Sequence, residues 1–148
     1  MLACNKGWLS TPGGEKCYRK FSKYQTWEKA RINCEKHNAV LLKIESKKEN
    51  DFILENFVAK KRTDFFASSW IGLRFATKTG RFLWTDDSKA DFLNWGADRE
   101  IIDRLTKEGQ TCGSIVNGVL WFGAPFLKGK WLVTECDYEM PYVCQKKK

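Results

Sequence analysis

After a short opening segment, apolar positions recur at helical spacing up to about residue 57 and alternate at strand spacing from Ser69 onward. Gly7-Trp8 and the turn Pro12-Gly13-Gly14 precede Lys16-Cys17-Tyr18-Arg19-Lys20-Phe21, which together read as a hairpin. Thr26 is placed as the N-cap of a first helix carrying Trp27, Ala30 and Cys34 on one face and stopping near His37-Asn38. Leu41, Leu42 and Ile44 lead into a second helix, whose start is marked by Ser46 and Glu49 as a capping box. Ile53 and Phe57, flanked by Phe52 or Leu54, are its core-facing positions, and Lys60-Lys61-Arg62-Thr63-Asp64 is its solvated exit. Past Ser69, Ile71, Leu73 and Phe75 share one face of a strand, and a turn at Thr79-Gly80 leads to Phe82 and Trp84. Between Asp86 and Thr111 the strand signals weaken, and the chain is polar apart from Phe92, Trp95 and Ile101-Ile102. So long an irregular stretch is unusual in a compact domain.

Composition narrows the class. A chain of 148 residues with 43% hydrophobic and 14% aromatic content is enough for one domain with one sizeable core. No apolar run reaches the roughly 18 residues that a membrane span needs. The start, Met1-Leu2-Ala3-Cys4, lacks a charged and then apolar leader, so any secretion signal is expected to have been removed or never to have been part of this chain. Six cysteines, no Cys-x-x-Cys pair and the single histidine His37 fit a disulfide framework better than a zinc site. This places the protein in an oxidising compartment, secreted or extracellular. Spacing alone leaves the pairing of the cysteines open. There is no Asn-x-Ser/Thr sequon, so no N-linked sugar is expected.

Four segments then follow in a telling order: Trp70-Ile71-Gly72-Leu73, Gly80-x-Phe82-x-Trp84-x-Asp86, Trp131 with Cys136, and Pro141-Tyr142-Val143-Cys144. Together they resemble the C-type lectin-like domain from Cys4 almost to the C-terminus. The resemblance implies one α+β domain over residues 1–148, with its core at about 4–145. Its expected parts are two helices, two small antiparallel sheets, a long ligand-binding loop and three disulfides. The implied pairs are Cys4 with Cys17, Cys34 with Cys144, and Cys112 with Cys136, the first being the amino-terminal bridge of the family's longer form. Each bridge is worth roughly 3 to 5 kcal/mol in the chain-entropy model, most for the long Cys34 to Cys144 loop. The polar stretch from Asp86 to Thr111 becomes the loop where the family usually binds ligands and calcium.

Calcium takes six to eight oxygen ligands, so its usual residues can be checked one by one. Sugar-binding relatives carry an Asn-Asp pair directly after the strand tryptophan, and here Trp131 is followed by Leu132 and Val133, which have no side-chain oxygen. Where the family has a Glu-Pro-Asn or Gln-Pro-Asp type motif, this chain reads Gly96-Ala97-Asp98-Arg99-Glu100, without the proline. Gln110-Thr111 stands where Glu-Asp often precedes the next cysteine. No cofactor is therefore expected at the usual sugar-binding site. Asp98, Glu100, Asp103 and Glu108 leave room for a rearranged cation site, but they alternate with Arg99, Arg104 and Lys107, as in a solvated, salt-bridged loop or short helix. A separate calcium position of some relatives is matched by Glu45 and Glu49, but Gln145 replaces the acid after the last cysteine and Lys43 adds a positive charge. Capping is the expected role of Glu49.

Three further features bear on partners. The formal net charge is +8, from 26 basic and 18 acidic residues, with clusters at Lys16, Arg19, Lys20 and Lys23, at Lys47-Lys48, at Lys60, Lys61 and Arg62, and in the lysine tail. Such clusters suit a sulphated glycan or an anionic membrane surface, or serve only to keep a secreted domain soluble. Nucleic acid is not expected, as no motif for it is present. Between Cys112 and Trp131 the chain is longer than in simple family members and includes Val119-Leu120-Trp121-Phe122-Gly123-Ala124-Pro125-Phe126-Leu127. Trp121, Phe122 and Phe126 are either exposed anchors for a partner or a cover folded over the long loop. Finally, His37 is expected to face solvent, and no nucleophile or phosphate-binding motif exists, so no enzymatic activity is expected. The leading expectation is calcium-independent recognition of a protein or anionic glycan, with Asp98, Arg99 and Glu100 beside the aromatic insertion as the ligand-facing residues. The alternative is a calcium-dependent carbohydrate-binding lectin with a displaced site in the long loop.

Overall fold

The computed structural model describes residues 4–11, 13–58, 68–117 and 127–148. In chain order the elements are β1 (Lys16–Gln25), α1 (Trp27–Lys36), β2 (Val40–Leu41), α2 (Lys47–Ile53), β3 (Ser69–Ala76), β4 (Arg81–Trp84), α3 (Arg99–Lys107), β5 (Cys112–Ile115), β6 (Trp131–Thr134) and β7 (Met140–Lys147). A π-helical turn, Leu54–Val58, continues α2. The strands form one sheet in the order β1-β7-β3-β5-β6, with β2 added to β7 and β4 to β3. All pairings are antiparallel except β3 with β7, which meet in parallel at Trp70 and Tyr142. The α+β class is as expected, but two details differ: the sheet is continuous and mixed rather than two small antiparallel ones, and a third helix is present.

Local signals explain the helices. The Thr26 side chain accepts from the Lys29 amide, Glu28 and Lys36 lie at the ends that suit the helix dipole, and Trp27, Ala30 and Cys34 are buried. Asn38, at φ 57°, ends the turn after α1. The Ser46 hydroxyl accepts from the Glu49 amide at 3.1 Å, and the Glu49 carboxylate reaches back to the Glu45 amide at 2.7 Å, one residue earlier than a standard capping box. Ile53 and Phe57 are buried, as the pattern requires.

The core lies on both sides of β3, and the face shared by Ile71, Leu73 and Phe75 is one of two. Ile71 and Leu73 join Trp84, Trp131, Ile53, Ile115 and Val133 in one cluster. Trp70 faces the other cluster, with Trp27, Leu41, Met140 and Tyr142 around the Cys34–Cys144 bridge. Trp27 and Trp70 place their indole N–H groups on the Ile71 and Gln25 carbonyls at 2.9 and 2.8 Å, which satisfies the polar end of each ring. Gly72 is required where the β2 segment crosses: its amide bonds the Leu42 carbonyl at 2.7 Å, and a Cβ there would lie 2.8 Å from the Leu41 carbonyl oxygen. All three implied disulfides are present, Cys4–Cys17, Cys34–Cys144 and Cys112–Cys136. Among the described residues no helix is long and apolar enough to cross a membrane.

His37 departs from its expected position. It is half-buried, with its ring 4.8 Å from that of Phe21 and its Nδ1 2.9 Å from the Asn33 carbonyl oxygen. The lysine tail also differs, because β7 runs through Lys147 and pairs Lys147 with Lys16 and Lys146 with Cys17.

Candidate functional site

Trp131 anchors the region that the resemblance assigns to ligand binding. Its ring is fully buried, edge-on to Trp84 and Phe92 at 5.6 Å and to Trp95 at 6.2 Å. Its indole N–H donates to Asn50 Oδ1 at 2.8 Å, and Asn50 Nδ2 in turn donates to the Gly129 carbonyl at 3.0 Å. Asn94 donates to that same carbonyl at 2.8 Å. Along the backbone, Trp131 bonds the Asn94 carbonyl and Gly96 bonds the Trp131 carbonyl, both at 2.8 Å. Asn94–Gly96 is thereby fastened alongside β6, directly before α3.

The side chains of the two residues after Trp131 carry no oxygen for a cation. Val133 is buried in the core, and the Leu132 side chain lies over Gly96 beside Leu127 and Lys130. A Cβ on Gly96 would sit 2.9 Å from Leu127 Cδ2 and 3.1 Å from Lys130 Cβ, so these side chains would have to shift to admit one. Residues 118–126 leave the described fold at Asn117 and rejoin it at Leu127. Leu127, where the described chain resumes, packs against Gly96, two residues before Asp98. Trp121, Phe122 and Phe126 themselves lie outside the described residues, as do Lys60, Lys61 and Arg62.

Of the two forms considered for the charged stretch after Trp95, the structure has the helix. Ile102 is fully buried, Thr106 is buried with its hydroxyl on the Ile102 carbonyl at 2.7 Å, and Leu105 packs partly against the core. Asp98 occupies the N-cap position, though its side chain makes no capping bond. Asp98, Arg99 and Glu100 are all exposed at the start of α3. Arg99 is held by Asp103, 3.0 Å away, and its guanidinium lies 5.6 Å over the Phe82 ring. It also lines an open cleft with Phe75, Gly80 and Lys107, between α3 and the β3–β4 hairpin. The acids of this stretch do not converge, and among the described residues no group of three or more His, Cys, Asp or Glu is placed to hold a metal ion.

Glu45 and Glu49 occupy a different corner and already have a cation. Lys16 Nζ lies 2.9 Å from Glu45 Oε1 and 2.9 Å from Glu49 Oε2, with the Lys43 carbonyl oxygen at 3.1 Å and Gln145 Oε1 at 3.5 Å. The Tyr18 hydroxyl donates to the same oxygen of Glu49. Burial first, and then this bond to an anion, push the Tyr18 pKa up. The Lys16 ammonium, chiefly by its hydrogen bond, holds the Glu45 carboxyl below its usual value. Lys43, the positive charge expected here, instead turns its side chain to Asp86 at 3.0 Å. A divalent ion about 4 Å from the Lys16 ammonium would meet roughly 8 kcal/mol of repulsion at an effective dielectric of about 20. The residues present therefore do not fit calcium at this corner while Lys16 is in place.

The same contacts reduce the basic cluster on β1. Lys16 is committed to the carboxylates, Lys20 donates to the Phe57 carbonyl at 2.6 Å, and Arg19 lies over the Phe21 ring at 4.7 Å. Lys47 pairs with Asp51, and Lys146 lies over the Trp8 ring at 4.2 Å. A patch read from sequence as four neighbouring charges thus splits between the two faces of a strand.

A mixed sheet with three helices, cross-linked from Cys34 to Cys144 and closed over Trp84 and Trp131, defines a lectin-like recognition module. The lectin C-type domain model matches residues 23–146, and the chain belongs to that family. It is 32% identical over 147 residues to a snaclec of Protobothrops flavoviridis, one of the subunits of a coagulation factor IX/factor X-binding protein, covering 96% of this chain and 84% of the relative. Among solved structures, the carbohydrate-recognition domain of cow CD23 superposes with a TM-score of 0.73 at 28% identity, over 99% of this chain and 97% of that one. A calcium-independent type II antifreeze protein shares the fold at a TM-score of 0.74 and 21% identity, over 99% and 96% of the two chains.

Proposed function

We propose that this chain is an extracellular, non-enzymatic recognition module that captures a protein ligand and needs no calcium at the position where sugar-binding relatives hold it. The observation that carries this reading is the replacement of the oxygen donors around Trp131: Leu132 packs over Gly96, Val133 faces the core, and the loop acids are spread along α3. A sugar held through calcium needs converging oxygens there, whereas a protein partner needs an apolar centre with a polar rim. Asp98, Arg99 and Glu100 supply charge at the start of α3, and Trp121, Phe122 and Phe126 supply the aromatic residues that commonly dominate protein interfaces. The similarity to a snaclec whose name states that it binds coagulation factors IX and X supports a protein as the ligand.

The test is capture of purified factor IX and factor X as probe proteins, together with an array of neutral and sulphated glycans, each in calcium and in EDTA at moderate salt. Capture of a probe protein with the glycans silent is the expected result, with the chain itself contributing no calcium requirement. Trp121→Ala and Phe122→Ala are expected to abolish that capture and leave the melting temperature nearly unchanged. Neutral-sugar binding that disappears in EDTA would overturn the reading in favour of a displaced calcium site. Binding only to sulphated glycans, fading as salt rises, would assign the ligand to anionic polysaccharide instead.

A further inference from the structure

The corner formed by β1, the start of α2 and the end of β7 has the donor set of a hard-cation site. Four oxygens from three separate segments surround one point: the Lys43 carbonyl, Glu45 Oε1, Glu49 Oε2 and Gln145 Oε1. Carboxylates and amide or backbone carbonyls are the groups that calcium prefers. What stands at their centre is the Lys16 ammonium, brought by a strand distant in sequence from all four. The supporting contacts are complete: Glu49 Oε1 accepts from the Glu45 amide, Glu49 Oε2 also accepts from Tyr18, and Gln145 Oε1 accepts from the Lys43 amide at 2.8 Å. The Lys16 and Glu49 side chains are only 23% and 12% exposed, so the pair is shielded from full solvent screening.

We infer that Lys16 is a built-in cation, which fills a latent calcium site and fastens the amino-terminal hairpin to α2 and β7 without a metal. A tethered ammonium brings its charge at an effectively fixed local concentration, so the clamp does not vary with the calcium in the surroundings. The Cys4–Cys17 bridge lies next to Lys16 on β1, which makes the clamp and the disulfide two fastenings of one hairpin. This corner is separate from the α3 and insertion face, so the inference stands or falls independently of the ligand.

The experiment compares the intact, disulfide-bonded chain with Lys16→Ala and Lys16→Met, measuring melting temperature and binding heats in EDTA, calcium and magnesium. The wild-type chain is expected to show no calcium response. Lys16→Ala, which opens room for an ion and its waters, is expected to melt lower in EDTA. In calcium it should regain about 5 to 10 °C at roughly 100 times its dissociation constant. Lys16→Met keeps the stem and fills that room, so it should lose the clamp without gaining the calcium response. Adding Glu49→Gln to Lys16→Ala should cancel the gain. If Lys16→Ala folds only in calcium, that requirement supports the inference. Calcium binding by the wild-type chain at this corner, abolished by Glu49→Gln, would overturn it, as would a Lys16→Ala chain indifferent to calcium.

Discussion

Two corners of this molecule are fastened in opposite ways, one around Trp131 and one around Lys16. Around Trp131 the packing is apolar: Leu132 and Val133 have no side-chain oxygen, and the acids after Trp95 are spaced along a helix. At the Lys16 corner the donors remain and the positive charge comes from the chain itself. The first corner is held by apolar packing and edge-on aromatic rings, the second by charge-assisted hydrogen bonds. The comparison teaches that one fold can fasten its corners by different means. Packing serves where the surroundings are apolar, whereas an ammonium suits a half-buried corner that holds carboxylates.

The contrast can be broken most sharply at Trp131. Replacing it with alanine empties a fully buried site and removes the partner of Asn50, so Trp131→Ala should lose roughly 3 to 5 kcal/mol, read by chemical denaturation with disulfides intact. The charged corner should respond less. Lys16→Ala leaves Glu45 and Glu49 facing each other, with Glu45 able to turn to solvent, and should cost about 1 to 2 kcal/mol in EDTA by the same assay.

Acid gives the smallest effect and sharpens the comparison further. Asp86 is held down to about 2 from its ordinary value of 3.8: burial opposes this, but hydrogen bonds from the Ser88 side chain and amide and from Lys43 outweigh it. A folded pKa below the unfolded one means the carboxylate's contribution is complete above about 3.8 and is lost as pH falls towards 2. The Glu45 carboxyl is shifted in the same direction. The melting temperature should therefore fall on acidification through this range, with a shallower slope in Asp86→Asn; an unchanged slope would show that this ion pair contributes nothing measurable.

How far the sequence revealed these features depended on whether their cause was local. Thr26 and Ser46 mark helix starts because a cap is made within three residues, and both are where the pattern puts them. The cysteine pairs followed once Trp70, Trp84 and Trp131 pointed to a known frame. Trp70 was missed as a second core face because alternation shows one apolar side and does not reveal that β3 lies inside the sheet. The third helix was only half legible: Ile101-Ile102 and Leu105 have helical spacing, but the charges around them also suit a solvated loop. Asn50 carries no local sign of its role, since its partners are Trp131 and Gly129, across the fold. Lys16 read as one lysine among several because the carboxylates it joins meet it only after β1 pairs with β7.

The most direct measurement is a calorimetric titration of calcium into the wild-type chain, alone, at moderate salt. Independence from calcium at both corners predicts no binding heat up to millimolar concentrations and no change in melting temperature. Stoichiometric calcium binding would contradict the account, and a loss of that binding in Glu49→Gln or Asp98→Asn would locate the error at one corner or the other.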